Sequence, residues 1–269
     1  MDRAPATLLA AFPRAQPQPL DGETELAVAE AVAANISRPA KVTAVIAAMY
    51  ARLDSQPVDP DTARRVSSAG REWLLQRAAL RFYGNNEWYE ATCAGCGTRF
   101  DLRLSMADIP CVAAGEGFPV VELETSLGRR AFEVPNGIHE EAFTRRSDTD
   151  PRRAFAALCG LGEQAADDAR RFTEADLAHI DAALEAASPE VADSVTAQCP
   201  ECGRQEQVRV DPLTFAFPRR DEVLREVHLL ASGYHWSERE ILALPLARRR
   251  TYADLIRAGL CGNTPIRRR

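Results

Sequence analysis

The chain has 269 residues, of which 46% are hydrophobic and 27% are charged, and its formal net charge is −6. This mixture is typical of a globular protein with one or two domains, and it argues against a wholly disordered or fibrous chain. Since no apolar run approaches the roughly 18 residues of a membrane-spanning helix, the sequence also argues against an integral membrane protein.

The first third of the chain predicts helices behind a proline-rich start. The apolar stretch near the N-terminus stops at Pro13 and lacks the organisation of a signal peptide, so we expect a cytoplasmic protein. Apolar and alanine-rich periodicity predicts three helices, at 25–34, 42–53 and 64–82. Prolines separate the second helix from the third, and Gly84-Asn85-Asn86 is expected to end the third.

The middle of the chain alternates predicted strands and helices. In chain order these elements are strands at 88–91, 120–124 and 130–134, helices at 151–162 and 174–187, and a strand at 195–197. Ser126-Leu127-Gly128 joins the second and third strands as a hairpin, which Pro135-Asn136-Gly137 is expected to end. Thr173 is placed to cap the second of the two helices.

The C-terminal part predicts three helices. The first covers 221–230, and the third starts at Arg248. Between them Ser237 and Glu240 have the spacing of a capping box, which predicts a short helix that begins after Ser237. His235, just before this helix, is interpreted as a turn residue without a catalytic role.

Arginine supplies nearly all of the positive charge, because Lys41 is the only lysine. No Gly-Lys-Ser/Thr exists, so a Walker-type phosphate loop is absent. The sequence also lacks Gly-x-Ser-x-Gly, His-Glu-x-x-His and Gly-x-Gly-x-x-Gly, which argues against several common enzyme classes. The arginine runs at 248–250 and 267–269 are interpreted as solvent-exposed faces or tails.

Four of the seven cysteines form two pairs with the same spacing. Two residues separate Cys93 from Cys96 and Cys199 from Cys202, and a glycine follows each pair. This spacing allows both sulfurs of a pair to face one tetrahedral metal ion, at about 2.3 Å per Zn–S bond. The glycine suits the positive φ of a tight knuckle. Because period-two apolar residues follow each pair, the two halves together predict a zinc ribbon.

The separation between the two pairs is long for a zinc ribbon. Residues 97–198 lie between them, which is 102 residues, whereas ordinary ribbons have about 15–20. An inserted subdomain is therefore expected between the knuckles. Four thiolates would fill every coordination position of a zinc ion, so the site is predicted to be closed and structural, with no catalytic role.

Two other interpretations of the cysteines stay open. In one, the pairs are local disulfides or redox motifs, although such motifs usually begin a helix that follows a strand. In the other, His139-Glu140-Glu141 combines with Cys199 and Cys202 in a deaminase-like site, which would leave Cys93 and Cys96 unused. The remaining three cysteines are expected to be core or surface thiols: Cys111, Cys159 and Cys261.

The predicted fold class is α+β: a split four-cysteine zinc ribbon with a long α/β insert between the knuckles and helical N- and C-terminal modules. The predicted domains are a proline-rich helical N-terminus at 1–86, the first half of the ribbon at 87–112, the inserted hairpin and helices at 113–193, the second half of the ribbon at 194–217, a C-terminal helical module at 218–261 and a basic tail at 262–269.

The C-terminal sequence resembles that of a known family. The similarity lies in Glu226-Val227-His228-Leu229-Leu230, Gly233 to Glu238, Ile241 to Leu244 and Arg248 to Ile256, which look like a signature of phage tail proteins. Together with two Cys-x-x-Cys-Gly knuckles split by a long insert, these segments resemble the T-even-type phage baseplate hub assembly family. Relatives of that family occur in bacterial contractile injection systems. The resemblance covers roughly residues 70–258, and Cys111 and Cys159 are not part of it.

The resemblance implies a non-enzymatic assembly chaperone or structural component of the baseplate hub of a contractile phage tail or a phage-tail-like injection system. Its expected partners are hub, spike or other tail proteins, without nucleic acid or a small-molecule substrate. Its expected location is the bacterial cytoplasm during assembly, or the tail particle. The alternative is a zinc-ribbon nucleic-acid-binding or transcription accessory protein, which the arginine-rich tail favours and the acidic net charge disfavours.

Overall fold

The computed structural model describes residues 5–7, 9–84, 88–146 and 150–260, without the side chains of Tyr83 and Leu260. Within these ranges helices and strands are mixed, as the predicted α+β class requires. The predicted basic tail at 262–269, its arginine run, Cys261 and the turn residues Asn85 and Asn86 lie outside the described residues.

The N-terminal part contains four helices and a small sheet. Its elements are β1 (Ala15–Pro17), α1 (Gly22–Ala33), α2 (Arg38–Met49), β2 (Tyr50–Leu53), β3 (Gln56–Pro57), α3 (Pro60–Arg64) and α4 (Ser68–Tyr83). The sheet is antiparallel, with β2 between β1 and β3. The three predicted helices correspond to α1, α2 and α4.

The prediction of one helix over 42–53 is wrong for its last four residues, which form β2. Tyr50 and Leu53 are both buried, and their spacing of three residues suits a helix as well as the two ends of a short strand. The extended conformation is fixed by contacts distant in sequence. Leu53 pairs with Ala15 across the sheet, and the Tyr50 hydroxyl donates a hydrogen bond to the Leu74 carbonyl oxygen at 2.7 Å.

The first cysteine pair lies in the turn of a β-hairpin that follows α4. The elements here are β4 (Trp88–Thr92), β5 (Arg99–Arg103), a short 3-10 helix (Met106–Asp108) and β6 (Cys111–Val112). β4 and β5 pair antiparallel over five residues, with Ala91 opposite Phe100. Ala91 and Phe100 face a small apolar core that also contains Leu102.

The insert is a hairpin covered by helices. Its elements are β7 (Val120–Thr125), β8 (Gly128–Glu133), α5 (Gly137–Phe143), α6 (Pro151–Cys159), α7 (Ala165–Arg171), α8 (Glu174–Ala187) and β9 (Glu190–Val191). The hairpin, α6 and α8 confirm the predicted elements, whereas α5 and α7 were not predicted. Asn136 was expected only to end the hairpin, but its side chain also caps α5 by accepting hydrogen bonds from the backbone N–H groups of Ile138 and His139.

The insert has its own apolar core, and its helix α5 also packs against helices of the N-terminal part. Phe132, Phe172, Leu177 and Ile180 are among the residues buried between the hairpin and the helices. At its base β6 pairs antiparallel with β9, which brings the two ends of the insert side by side.

The remaining elements form the second hairpin and a helical end. They are β10 (Ser194–Gln198), β11 (Gln205–Arg209), a 3-10 helix (Pro212–Thr214), α9 (Arg220–Tyr234), α10 (Glu238–Leu242) and α11 (Leu246–Leu260). The last three helices enclose a core that includes Leu230, Ile241 and Ala253, and Leu26 of α1 packs against it. Among the described helices, none combines the length and the apolar composition needed to cross a bilayer.

Candidate metal centre

Two hairpin turns of the same design carry the four cysteines. In the first, the Cys93 N–H donates to the Thr98 carbonyl oxygen at 3.0 Å and the Gly97 N–H donates to the Cys93 carbonyl oxygen at 2.9 Å. In the second, Cys199 N–H donates to the Arg204 oxygen at 2.9 Å and Gly203 N–H donates to the Cys199 oxygen at 3.0 Å. We call these two turns, residues 93–98 and 199–204, the first and second knuckles.

Each knuckle depends on a glycine that follows its second cysteine. Gly97 has φ +74° and Gly203 has φ +73°, which lie in the left-handed region that residues with a Cβ rarely adopt. A Cβ at Gly97 would meet no atom within 4 Å. The requirement for glycine therefore comes from the backbone conformation and not from a lack of space.

The structure brings the four predicted cysteines together although 102 residues separate the two pairs. All four Sγ atoms lie within 4.8 Å of one another. Cys93 Sγ is 3.6 Å from Cys202 Sγ, and Cys96 Sγ is 3.7 Å from Cys199 Sγ. A zinc ion bound tetrahedrally at about 2.3 Å would place its sulfurs about 3.8 Å apart. All four are free cysteines, which contradicts the alternative of local disulfides.

The cluster lies at the edge of a small apolar core shared by the two hairpins. Cys93 and Cys199 are each 1% exposed, whereas Cys96 and Cys202 are exposed. Beneath the sulfurs the hairpins contribute apolar side chains that include Phe100 and Val208. The first cysteine of each pair therefore faces inward, and the second faces the surface.

The surroundings of the first knuckle shift the pKa values of Cys93 and Cys96 in opposite directions. Side-chain and backbone hydrogen bonds from Thr98 lower the pKa of Cys96 to about 6. The Cys96 backbone N–H lowers the pKa of Cys93, but burial and the Glu206 carboxylate outweigh it and raise that pKa to about 12. Without metal, Cys96 therefore ionises more readily than Cys93, which holds its proton more strongly. A metal ion that binds all four sulfurs must displace that proton.

Sequence reasoning missed Glu206 and Arg204, which extend from the second hairpin to the first knuckle. Glu206 Oε1 accepts a hydrogen bond from the Ala94 N–H at 3.2 Å and one from the Cys93 thiol at 3.1 Å. Arg204 Nε lies 3.3 Å from the same oxygen. The signal was present in the sequence, since Glu206 is a carboxylate at a core-facing position, where the first hairpin has the apolar Phe100.

The histidine and the two glutamates of the deaminase-like alternative, residues 139–141, do not join the cluster. His139 lies on α5, where it occupies the third position of the capping box: the Asn136 N–H donates to His139 Nδ1 at 3.3 Å. The neighbouring carboxylates bind arginines of the N-terminal helices, Glu140 with Arg71 and Glu141 with Arg64. Among the described residues, the group placed to hold a metal ion consists of cysteines alone.

The other predicted residues have separate positions. Cys111 is exposed on β6. Cys159 is buried at the end of α6, with its Sγ 4.0 Å from His139 Nδ1. His235 has φ +57° and ends α9, so it is a turn residue as predicted. The capping box of Ser237 and Glu240 is also confirmed, with the Ser237 hydroxyl donating to Glu240 Oε2 at 2.7 Å.

The interpretation of the arginine run 248–250 as a solvent-exposed face is wrong for its central residue. Arg249 is 1% exposed and forms ion pairs with Glu25 of α1 and with Glu226 of α9, the latter at 2.7 Å. Burial lowers the pKa of Arg249 to about 10. Its two neighbours in the run are exposed. The helical position of Arg249 directs it inward, which a count of consecutive arginines does not reveal.

The donor set of the cluster defines what it can bind. Four thiols at tetrahedral spacing are suited to a soft or borderline cation, such as zinc or iron. The residues of the cluster therefore fit a metal ion of this class.

In comparisons with known proteins, the chain matches no protein-family model, no curated protein and no solved structure. What the chain does must therefore be inferred from its own residues.

Proposed function

We propose that Cys93, Cys96, Cys199 and Cys202 hold one structural zinc ion in a split zinc ribbon. The observation that carries this proposal is the convergence of four free sulfurs within 4.8 Å from two turns of the same design. Zinc prefers tetrahedral sulfur coordination, and four protein ligands leave no position for water or a substrate. The role of the ion is then to fix the two hairpins to each other.

The proposed ion links the chain segment before the insert to the segment after it. The cysteine cluster joins residues on both sides of the insert, and the pairing of β6 with β9 joins them a second time. A metal ion that binds the folded chain more tightly than the unfolded chain adds its binding free energy to stability. The ion and this strand pairing then hold the two ends of the insert together, and rigidity of this kind suits a protein that binds other proteins.

We further propose that the protein is a non-enzymatic assembly chaperone or structural component of the baseplate hub of a contractile phage tail or a related injection system. The support is the resemblance of residues in α9, α10 and α11 to phage tail proteins. Several of those residues pack the three helices against one another, so the fold of this segment depends on them. A Cβ at Gly233 would lie 2.6 Å from Ile256 Cδ1, so glycine permits the close approach of α9 and α11.

The aromatic residues of the same segment fix these helices further. Tyr234 and Trp236 are stacked with ring centroids 4.7 Å apart, and Tyr252 of α11 contacts both edge to face. Such aromatic contacts contribute about 0.5–1.5 kcal/mol each beyond the area that they bury. The segment is thus a compact helical module, which suits recognition of a protein partner.

The burial of Arg249 weakens the alternative of a nucleic-acid-binding protein. Binding to phosphates requires a cluster of accessible cations, and the central arginine of the 248–250 run is committed to Glu25 and Glu226. The net charge of −6 also disfavours a polyanionic partner.

Two measurements test the proposal. Elemental analysis of the purified full-length chain should find one zinc ion per protein. In a host that also expresses the sheath, tube, hub and spike genes of a contractile tail, the affinity-tagged chain should recover hub or spike proteins, and Cys202→Ser should recover less. Recovery of no tail component would contradict the assembly function, and absence of any metal would contradict the structural zinc.

A further inference from the structure

The two hairpins around the cysteine cluster have equivalent turns and strand pairing, but one pair of their core-facing positions differs in chemical character. Residues four places after the second cysteine face the shared core in both, and they are Phe100 in the first hairpin and Glu206 in the second. Their cross-strand partners are also equivalent, Ala91 and Ala197. An acidic side chain therefore occupies a position that the first hairpin fills with a large apolar one.

A second difference between the hairpins accounts for the carboxylate. The residue after the first cysteine is Ala94 in the first knuckle and Pro200 in the second. Ala94 has a backbone N–H, which donates to Glu206 Oε1 at 3.2 Å, whereas proline has no N–H to satisfy. The second hairpin, whose residue 206 faces the Ala94 N–H of the first knuckle, thus carries a carboxylate there. The first hairpin carries an apolar residue, Phe100, at the equivalent position.

The Glu206 side chain is itself held in place. It is 12% exposed, and Arg204 Nε lies 3.3 Å from its Oε1 atom. The Arg204 side chain passes over the first knuckle, since a Cβ at Gly95 would lie 3.0 Å from Arg204 Cδ. The Gly95 N–H in turn donates to Cys93 Sγ at 3.3 Å. When a metal binds, the Cys93 thiolate has no proton to donate, and the Ala94 N–H and Arg204 remain as the partners of Glu206.

We propose, on the basis of the proposed zinc site, that Glu206 is a positioning residue of the metal centre: it binds the Ala94 N–H across the two hairpins and so orients the first knuckle toward Cys199 and Cys202. It does not touch the ion. Partners of this kind, outside the ligands themselves, typically change metal affinity by about 10–100-fold when they are removed. The second knuckle needs no equivalent, because Pro200 restricts its own backbone.

The test compares zinc affinity and amide exchange in variants of the full-length chain. Zinc affinity is measured by competition with a chromophoric chelator, and exchange of the Ala94 amide proton by nitrogen-15 NMR of the zinc-loaded protein. Glu206→Ala should weaken zinc binding at least about 10-fold and speed exchange at Ala94. Glu206→Gln should retain most of the affinity and the protection, because its amide oxygen can accept the same N–H. Glu90→Gln is the matched charge control, as Glu90 is exposed on β4.

A double-mutant cycle separates the hydrogen bond from packing. Ala94→Pro gives the first knuckle the residue found in the second, and it removes the N–H that Glu206 accepts. Adding Glu206→Ala to Ala94→Pro should therefore cause little further loss of affinity. Glu206→Phe, which copies the first hairpin, keeps the position apolar and filled should the alanine variant fail to fold. As for Glu206→Ala, its effect on zinc affinity should be small in a chain that already carries Ala94→Pro.

Three results would overturn the role of Glu206. One is wild-type affinity and wild-type Ala94 exchange in Glu206→Ala. Another is equal loss in Glu206→Gln and Glu206→Ala, which would assign the effect to charge. The third is a loss on Glu206→Ala that is as large in the chain carrying Ala94→Pro as in the otherwise wild-type chain. A wild-type chain that binds no zinc would instead refute the proposed zinc site itself.

Discussion

Cys96 and Cys202 are the exposed sulfurs of the cluster, while Cys93 and Cys199 are enclosed by the apolar residues of both hairpins. This alternation follows from the knuckle, whose first cysteine comes directly after a strand and faces the core, whereas its second cysteine lies in the turn. An exposed ligand can be substituted with little change in packing. It therefore provides the cleaner test of metal binding.

We expect Cys202→Ser to lose zinc and to unfold at least the two hairpins, because structural zinc contributes on the order of 10–16 kcal/mol of apparent binding free energy in small domains. The measurement is thermal unfolding together with metal content. Cys111→Ser is the matched control, since Cys111 is an exposed thiol outside the cluster. An unchanged melting curve with zinc retained would show that the site is not structural.

Arg249 is a buried charged residue whose loss should lower the free energy of unfolding. Arg249→Leu removes the nearest cation of Glu25 and of Glu226 and leaves them only the more distant, exposed Arg250 and Arg257. Removal of one partner of a buried ion pair costs up to roughly 3–5 kcal/mol. Urea unfolding of Arg249→Leu and of the exposed neighbour Arg248→Leu provides the comparison. Equal stabilities of the two variants would contradict the structural role assigned to Arg249.

Each of the two knuckles is a short turn that requires a glycine with positive φ, Gly97 in the first and Gly203 in the second. At Gly203, φ is +73°, so Gly203→Ala should cost about 1–2 kcal/mol and should weaken metal binding, because the alanine Cβ disfavours this conformation. Gly259→Ala on α11 is the control: no atom lies within 4 Å of its Cβ position, and alanine is favoured in helices. If Gly203→Ala binds metal and unfolds like the wild type, the knuckle does not depend on glycine.

The turn of the β7–β8 hairpin is fixed to the start of α8 by a single carboxylate. Asp176 accepts hydrogen bonds from the Ser126 N–H at 2.7 Å and hydroxyl at 2.6 Å, and from the Thr173 N–H and hydroxyl at 2.8 Å. These bonds, those of Ser126 first, hold the pKa of Asp176 well below its usual range. The carboxylate therefore contributes stability above the unfolded pKa of about 4, and that contribution is lost as the pH falls toward the folded pKa.

We expect Asp176→Asn to lower the free energy of unfolding at pH 7 by about 1 kcal/mol or more, because an amide has one acceptor oxygen for four donors. The difference from the wild type should shrink as the pH is lowered below about 4, since protonation removes the same interactions. Urea unfolding at several pH values measures it, with Asp167→Asn on the exposed surface of α7 as the control. A difference that does not change with pH would contradict this assignment.

At the scale of the whole molecule, the structure consists of several apolar cores joined by polar contacts and by a small apolar cluster around Ala79, Met106 and Ala216. The N-terminal helices, the insert, the two hairpins and the last three helices each enclose a separate cluster of buried side chains. Buried arginines link them: Arg71 of α4 binds Glu140 of the insert, and Arg249 of α11 binds Glu25 of α1. The core of the two hairpins is small and lies beside the cysteine cluster, so it is the core that the proposed metal ion would stabilise most.

Removal of the proposed metal ion should therefore act locally. With a chelator present, we expect backbone amides of β4, β5, β10 and β11 to exchange rapidly, while those around Phe132 and Leu177 in the insert stay protected by their own core. Hydrogen exchange followed by mass spectrometry, with and without the chelator, measures this difference. Uniform loss of protection throughout the described residues would show that the ion supports the whole fold.

The sequence by itself determined the local features of this protein. The cysteine spacing, the glycines with positive φ, the capping boxes and the alternating strands are set by residues within about four positions of one another, and short-range rules describe such interactions well. Only the tertiary structure decided that the two cysteine pairs meet, that Tyr50–Leu53 is a strand and that Arg249 is buried. The tertiary structure alone also decided the contact between Glu206 and Ala94. These residues lie more than a hundred positions apart, and the fold of the intervening chain determines whether they meet.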